Sequence, residues 1–434
     1  MTFQNDRHQR AVGQGFFHTG ELSEDGTERL RYVYDCGALP AYAVARDLAI
    51  DYYLSRVPPG ARLDLLFLSH AHDDHINGVP RLLASGLKVN TIVLPLMNVI
   101  DRLIAFGRAV DENPAAATDF YREFTLDPTA ALGRFDPDLI LYVEPGSRDG
   151  GAPGSGDESI DGPFDPGARG EDAKREPATW KLVGKGRVIY DDPRVAASTA
   201  ANVAAGNRTA VMPDTKAVMV PGAKAEWLLA PFVDPGVTIH AAVFRGALAK
   251  ALGMTRQALR AWLLIPANVE TLVTAHASEL AAAYKAVKTD LNITSLSLYS
   301  GPAVTRTPLP RMARAQFGQV HHRAAGSDSR IAWLATGDAA LKQQARRATF
   351  LGHYGRLLDQ VMTLTLPHHG SEGNFHPDLL DRIAPELCLV AADFRKKWRH
   401  PGSTVVQSVS SRGLFLQIVT SDPRSKTTEL VTIG

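Results

Sequence analysis

The feature that most narrows the folding options of this chain is the run Leu63 to Leu68 (LDLLFL), which is nearly continuous in apolar residues. Such a run reads as a strand buried on both faces, and strands of that kind belong to sheets covered by helices. The neighbouring sequence agrees. Arg29 to Asp35 reads as a strand closed by Cys36 and Gly37, and Val89 to Leu94 as another, while 41–57, 80–84 and 98–109 carry helical spacing. Short apolar runs alternating with helical patterns predict layered α/β structure rather than a β-sandwich or a helical bundle.

At 434 residues the chain exceeds the usual length of one domain, and its 45% hydrophobic content suits a globular core. Lys and Arg number 47 against 46 Asp and Glu, so no global field draws the protein to nucleic acid or membrane. An anionic partner must be held by a local site. Cys36 and Cys388 are the only cysteines, which excludes a disulfide scaffold and a Cys-rich zinc module and fits a reducing compartment. The first ten residues contain no apolar leader stretch, and the best 18-residue membrane candidate, Val89 to Phe106, contains Asp101 and Arg102. A soluble, cytoplasmic protein with no membrane partner is expected.

Beyond the strand-like Leu139 to Val143 the composition changes. Pro145 to Pro177 is dense in Gly, Pro, Asp and Glu, with Ile160 and Phe164 its only large apolar residues, so 145–178 is expected to be a disordered acidic loop. It divides the chain into a first half of one fold (1–144), an insertion of mixed strands that ends in two or three helices (179–290), and the second half of the fold (291–434). Strand character recurs there at 292–299, 331–335, 361–366, 387–391 and 414–419, with helical patterns near Leu341, Leu357 and Leu379. No repeat of fixed period is evident.

Directly after the buried run comes Ser69-His70-Ala71-His72-Asp73-Asp74-His75-Ile76-Asn77-Gly78. A strand ending at Ser69 or His70 projects alternate residues to one side, so His70 and His72 point together, and the turn that follows brings Asp74 and His75 to face them. Neutral imidazole and carboxylate are ligands for zinc and, less selectively, for manganese or iron. The plain alternative, a solvated histidine-rich turn, seldom follows a largely apolar strand at this spacing.

The pattern His-x-His-x-Asp-His after a buried strand resembles the metallo-β-lactamase superfamily, an α/β fold built as a four-layer αββα sandwich. Further pieces occur in the family's order: Asp35 in Tyr-Asp-Cys-Gly, Asp338 in Leu-Ala-Thr-Gly-Asp, the pair His368 and His369 in Leu-Pro-His-His-Gly-Ser, and His400 before Pro401. This set is similar, more narrowly, to the nuclease-like domain of ComEC-type DNA-uptake proteins and to the phosphorylcholine esterases. The resemblance covers residues 10–110 and 290–434 and says nothing of the long stretch between.

It implies that His70, His72 and His369 hold one metal ion, that Asp74, His75 and His400 hold a second, and that Asp338 bridges both. Asp35 would order the metal loop from behind. His368 is then left to hydrogen-bond a substrate oxygen or protonate a leaving group, and with Asp74 completes the catalytic candidates. Strand alternation points His368 and His369 to opposite sides, which leaves open which of them faces the metal; His369 is preferred. Standing alone, Asp338 would read as a helix N-cap and His400 as a surface residue.

Two divalent ions, zinc or manganese, opposed by Asp74 and Asp338 leave an excess of about two positive charges, which favours an anionic substrate. Such a pair lowers the pKa of a bridging water and stabilises the entering and departing oxygens of a displacement at phosphorus. Phosphodiester hydrolysis by a metal-bridging hydroxide is therefore expected, with DNA the leading substrate. Two rivals stand beside it: hydrolysis of a small molecule such as a phosphocholine ester, cyclic nucleotide or lactone, and a metal-binding regulatory or interaction protein with little catalysis.

Arg395, Lys396, Lys397, Trp398 and Arg399 precede His400 and are candidates to neutralise phosphates and stack on a base, against the plainer reading of a solvated basic loop. Ser371 is a candidate phosphate contact or a helix cap. His18, His240, His276, His321, His322, His353 and His376 lie in unpatterned context and read as structural. Lys174 and Arg175 form a protease-sensitive pair in the acidic loop, so a lid released by an activating protease or a regulatory protein is a further expectation, against a tolerated surface insertion.

Overall fold

The apolar runs pair into two large mixed sheets, with helices packed against them, in an α/β architecture. The computed structural model describes residues 2–146, 150–154, 179–195, 208–223, 225–234, 238–287, 294–303, 310–317, 320–326, 329–394 and 399–434. Most of the predicted acidic loop, including Lys174 and Arg175, lies outside them.

The strands are β1 (Phe3–Gln9), β2 (Gly15–Glu24), β3 (Thr27–Ala38), β4 (Leu63–Phe67), β5 (Val89–Pro95) and β6 (Leu139–Glu144) in the first third of the chain. There follow β7 (Lys181–Gly184), β8 (Ile189–Tyr190), β9 (Arg208–Pro213), β10 (Lys216–Pro221), β11 (Glu226–Asp234) and β12 (Ser295–Pro302). The last are β13 (Arg311–Phe317), β14 (Val320–Gly326), β15 (Ala332–Ala335), β16 (Val361–Thr365), β17 (Leu387–Ala391), β18 (Phe415–Val419) and β19 (Thr427–Ile433). One sheet has the order β14-β13-β19-β1-β2-β3-β4-β5-β6-β9-β8 and the other β18-β17-β16-β15-β12-β11-β10-β7.

The LDLLF strand β4 lies between β3 and β5 in parallel register, Leu65 opposite both Tyr32 and Thr91. In β6 the period of two sends Ile140 and Tyr142 to one core, while Leu141 and Val143 join another that includes Trp227, Leu298 and Trp333 of the second sheet. A third core sets Leu334, Leu364 and Val390 against Phe350, Leu379 and Val405. The first two strands carry no sequence expectation, yet β1 pairs with β19, Phe3 opposite Ile433, so the two ends of the chain meet in one sheet.

The segment expected as an insertion is built into both sheets. Strand β9 extends the first sheet beside β6, and β7, β10 and β11 extend the second beside β12. The helices expected at its end form at Thr238–Ala251, Arg256–Trp262, Pro266–Ala275 and Ala277–Lys285. Their Phe244, Leu248, Leu272 and Leu280 share a core with Leu103 and Phe106 of α4 (Val99–Glu112), which follows α1 (Ala43–Arg56), α2 (Asp73–Ile76) and α3 (Val79–Ala84). A Cβ on Gly107 of α4 would stand 2.7 Å from the Leu280 carbonyl, so these helices press directly on α4. Of the described residues of the acidic loop, Ala152 N–H donates at 2.8 Å to the carbonyl of His353, in the helix Gln344–Tyr354. No helix among the described residues is long and apolar enough to cross a membrane.

Candidate metal centre

Four loops at the C-terminal ends of parallel strands build the site, the location where open α/β sheets leave a crevice. After β4 the chain runs through Ser69 to His72 into the single turn of α2, which carries Asp74 and His75. The end of β3 passes so close beneath α2 that a Cβ on Gly37 would lie 2.6 Å from the Asp74 and His75 backbone, which explains the glycine after Asp35 and Cys36. Asp338 follows β15 through Gly337, whose φ of +52° is the left-handed region that favours glycine. Its N–H is held by Ser295 Oγ at 3.0 Å. His368 and His369 follow β16, and His400 precedes the helix Ser403–Ser410.

Strand alternation does not govern the histidine pair. The strand ends at Thr365, and both residues adopt left-handed φ angles, 49° and 55°, in a tight turn that directs both rings into the site, 5.8 Å apart. The question of which one faces inward thus has the answer that both do. His368 Nε2 lies 3.6 Å from Asp338 Oδ2, and His369 Nε2 lies 3.5 Å from Asp74 Oδ2.

Around Asp338 the Nε2 atoms of His70 and His75 stand at 3.4 and 3.8 Å, on different carboxylate oxygens. Around Asp74 stand His369 Nε2, His75 Nε2 at 3.9 Å, and His72 Nδ1 in direct contact. Among the described residues two groups could therefore hold a metal ion: His70, His75 and Asp338, and Asp74, His75 and His369. This grouping differs from the expected one, because His75 belongs to both and His369 sides with Asp74 rather than with His70 and His72. His400 belongs to neither group; its ring lies 5.8 Å from that of His368 and 6.5 Å from that of His369, at the rim. None of His70, His72, Asp74, His75, Asp338, His368 and His369 is more than 6% exposed.

The far side of each ring fixes its orientation. Asp35, wholly buried, accepts from Ser69 N at 2.6 Å, Ser69 Oγ at 2.7 Å and His75 Nδ1 at 2.7 Å, on the side of the His75 ring away from Nε2. His70 Nδ1 meets Ser69 Oγ at 2.9 Å, and His369 Nδ1 donates to the Ala391 carbonyl at 2.7 Å. His368 Nδ1 donates to Asn374 Oδ1 at 3.1 Å, and the Asn374 amide donates in turn to the Asp338 carbonyl. With their Nδ1 atoms engaged, His70 and His75 turn Nε2 to the interior, and these buried nitrogens have no hydrogen-bond partner of acceptable geometry among the described residues. Buried imidazole nitrogens converging on carboxylates, with their rings locked from outside, are donors that could hold a metal ion.

The electrostatics agree. Burial pushes the Asp74 and Asp338 carboxyls up, but the imidazoles around them (His72 and His75 for Asp74, His368 and His70 for Asp338) hold both well below the usual carboxylate range, so both are ionised. Burial, with His75 adding to it, pushes His70 down to about 4, leaving it neutral and able to ligate. Burial also pulls on His75, yet Asp35 and Asp74 outweigh it and raise the ring to about 9.

Two residues of α4 were not anticipated. Arg108 donates Nε–H to Glu112 Oε1 at 2.8 Å and Nη2–H to His368 Nε2 at 3.1 Å, and Glu112 Oε2 lies 3.8 Å from His72 Nε2. In sequence they are an i,i+4 ion pair of the kind found on solvated helix faces; only burial, 8% exposure for each side chain, marks them. The contact between Arg108 Nη2 and His368 Nε2 ties His368, whose Nε2 also faces Asp338 Oδ2, to α4. Ser371 Oγ accepts from Gly373 N–H within its own turn, outside the helix Asp378–Ile383. Arg399 is exposed, and Arg395, Lys396, Lys397 and Trp398 lie outside the described residues. His18 stacks on Trp333 and His353 is buried against the Pro231 carbonyl, both away from this cluster.

A scan of protein-family models and a search of curated proteins give no match to this chain. The chemistry of the site itself therefore carries the functional reading.

Proposed function

We propose that this protein is a two-metal hydrolase of phosphodiesters with a metallo-β-lactamase αββα fold, and that nucleic acid, DNA first, is its substrate. The observation that carries the proposal is the convergence of orphaned Nε2 atoms of His70 and His75 on the ionised Asp74 and Asp338. Three large cores, one holding residues of both sheets and the other two flanking it, support the four-layer arrangement.

A pair of zinc or manganese ions, if held there, would supply an activated water at neutral pH and offset charge on phosphoryl oxygens. The residues of the chain do the rest. Asp35 holds His75 as an Nε2 ligand, Ser69 holds His70, and Asp338 turns one oxygen to His70 and His368 and the other to His75, which suits a bridging carboxylate. Ligand burial excludes bulk water and strengthens every charge interaction at the reacting phosphorus.

One observation favours a smaller substrate: the cavity lined by Gln14, Leu39, His72, Asp74, Arg108, Glu112, His368, His369 and His400 has a volume near 10 Å³, room for about one water. The test is degradation of linear and circular DNA with added manganese or zinc, with Asp74→Ala as the control. Cleavage lost in the variant supports the nuclease. Turnover of bis-p-nitrophenyl phosphate without DNA cleavage moves the reading to a small phosphodiester, and full metal occupancy with neither activity refutes hydrolysis.

A further inference from the structure

Arg108 is placed where its charge is hardest to explain by stability. Its guanidinium is buried on α4, lines the same small cavity as His72, Asp74, His369 and His400, and stands beside the groups that gather cations. Burying an ion pair seldom repays its desolvation, and a positive group beside metal ions is repelled by them. Such a placement becomes favourable when an anion occupies the space between. The guanidinium is also held rigid, with Nε committed to Glu112 and Nη2 to His368, so its plane is fixed at the cavity wall before any ligand arrives. Fixed donors aimed at developing negative charge stabilise it without reorganisation.

We infer that Arg108 forms an anion subsite beside the metal centre that takes a non-bridging oxygen of a phosphate ester, with Glu112 and His368 as positioning residues. This rests on the two-metal reading and deepens it: a guanidinium at the cavity wall selects a tetrahedral oxyanion with oxygens to spare beyond those facing the metals. A neutral lactone offers no such oxygen in its ground state. Arginine suits this task because its charge sits on a rigid planar group, whereas a lysine ammonium is a mobile point charge.

The test uses the full chain loaded with manganese, with metal content measured first and inorganic phosphate as the titrated probe. Arg108→Met is expected to keep the metal content of the wild type and to bind phosphate about tenfold to a hundredfold more weakly, the worth of a lost charge-assisted hydrogen bond. Arg108→Lys is expected to fall between the two. Because Arg108→Met strands the Glu112 carboxylate, the double variant Arg108→Met with Glu112→Gln keeps the charge balance and repeats the measurement if the single variant folds poorly. Unchanged phosphate affinity at full metal content overturns the subsite. So does loss of metal in both variants, which would make Arg108 a structural support, and so does a metal-loaded wild type that binds no phosphate. A wild type that takes up no metal defeats the two-metal reading, and it does so at the metal measurement, before phosphate is added.

Discussion

Asp35→Asn tests how far the metal centre depends on the residue behind it. Asp35 accepts three hydrogen bonds, from Ser69 N, Ser69 Oγ and His75 Nδ1, all 2.7 Å or shorter, and is wholly buried. Asparagine keeps one acceptor oxygen and turns an NH2 group toward either Ser69 or His75, so at least one donor then faces a donor. A lost charge-assisted bond is worth about 1.5–3 kcal/mol. Removal of a carboxylate that orients a metal-bound histidine weakens metal affinity about 10- to 100-fold, a matching 1.4–2.7 kcal/mol.

A second effect opposes the first. In the wild type, burial lowers His75 but Asp35 and Asp74 raise it to about 9, so at pH 7 metal must displace a proton held roughly 2 pH units above ambient, at a cost of about 2.7 kcal/mol. Asp35→Asn lowers that proton affinity. Nearly the full loss of metal affinity is therefore expected at pH 9, where about half of His75 is already deprotonated in the wild type, and the gap is expected to narrow at pH 7. Chelator competition for manganese at both pH values, with thermal melts to verify folding, measures it. Equal affinities at pH 9, or a gap that widens at pH 7, would refute the role given to Asp35.

Gly37→Ala drives a Cβ to within 2.6 Å of the Asp74 and His75 backbone, so α2 must shift; metal uptake and thermal stability are both expected to fall. Gly352→Ala, in the helix Gln344–Tyr354 where a Cβ meets nothing within 4 Å, is expected to raise stability by about 0.5–1 kcal/mol, and a loss there would show that the helix is misread. His353 is buried and its pKa is lowered to about 4 by that burial, partly offset by the Pro231 carbonyl. Below pH 6.5 the unfolded chain takes up a proton that the native chain refuses. Stability is therefore present above 6.5 and lost as pH falls toward 4, by about 3 kcal/mol. His353→Gln keeps an N–H for Pro231 and is expected to flatten that slope in urea denaturation at pH 7.5 and 4.5; parallel slopes in the two proteins would refute it.

The parts of this protein legible in its sequence are those set by neighbours along the chain. An unbroken apolar run becomes β4 because alternate residues meet cores on both faces, and a polar turn directly after it carries His70, His72, Asp74 and His75 because strand ends are where side chains leave the sheet. The acidic segment 145–178 falls largely outside the described residues, so its expected disorder is neither supported nor opposed. Where local rules failed, a long-range demand had replaced them. Period-two alternation predicted opposite directions for His368 and His369, but the turn after β16 puts both backbones in the left-handed region.

Arg108 and Glu112 show the limit most clearly. Their spacing along α4 is that of an ordinary exposed pair, and nothing adjacent in sequence marks them. Residues 238–285 bury the opposite face of α4, and that packing turns the pair toward His72 and His368, which lie 36 and 260 positions from Arg108 in the chain. Ligand type, being a property of single residues, can be read one position at a time. Ligand grouping depends on which strand ends meet, and it is fixed by sheet order and helix packing, since charge and lone-pair interactions act over a few ångströms of space whatever the separation along the chain.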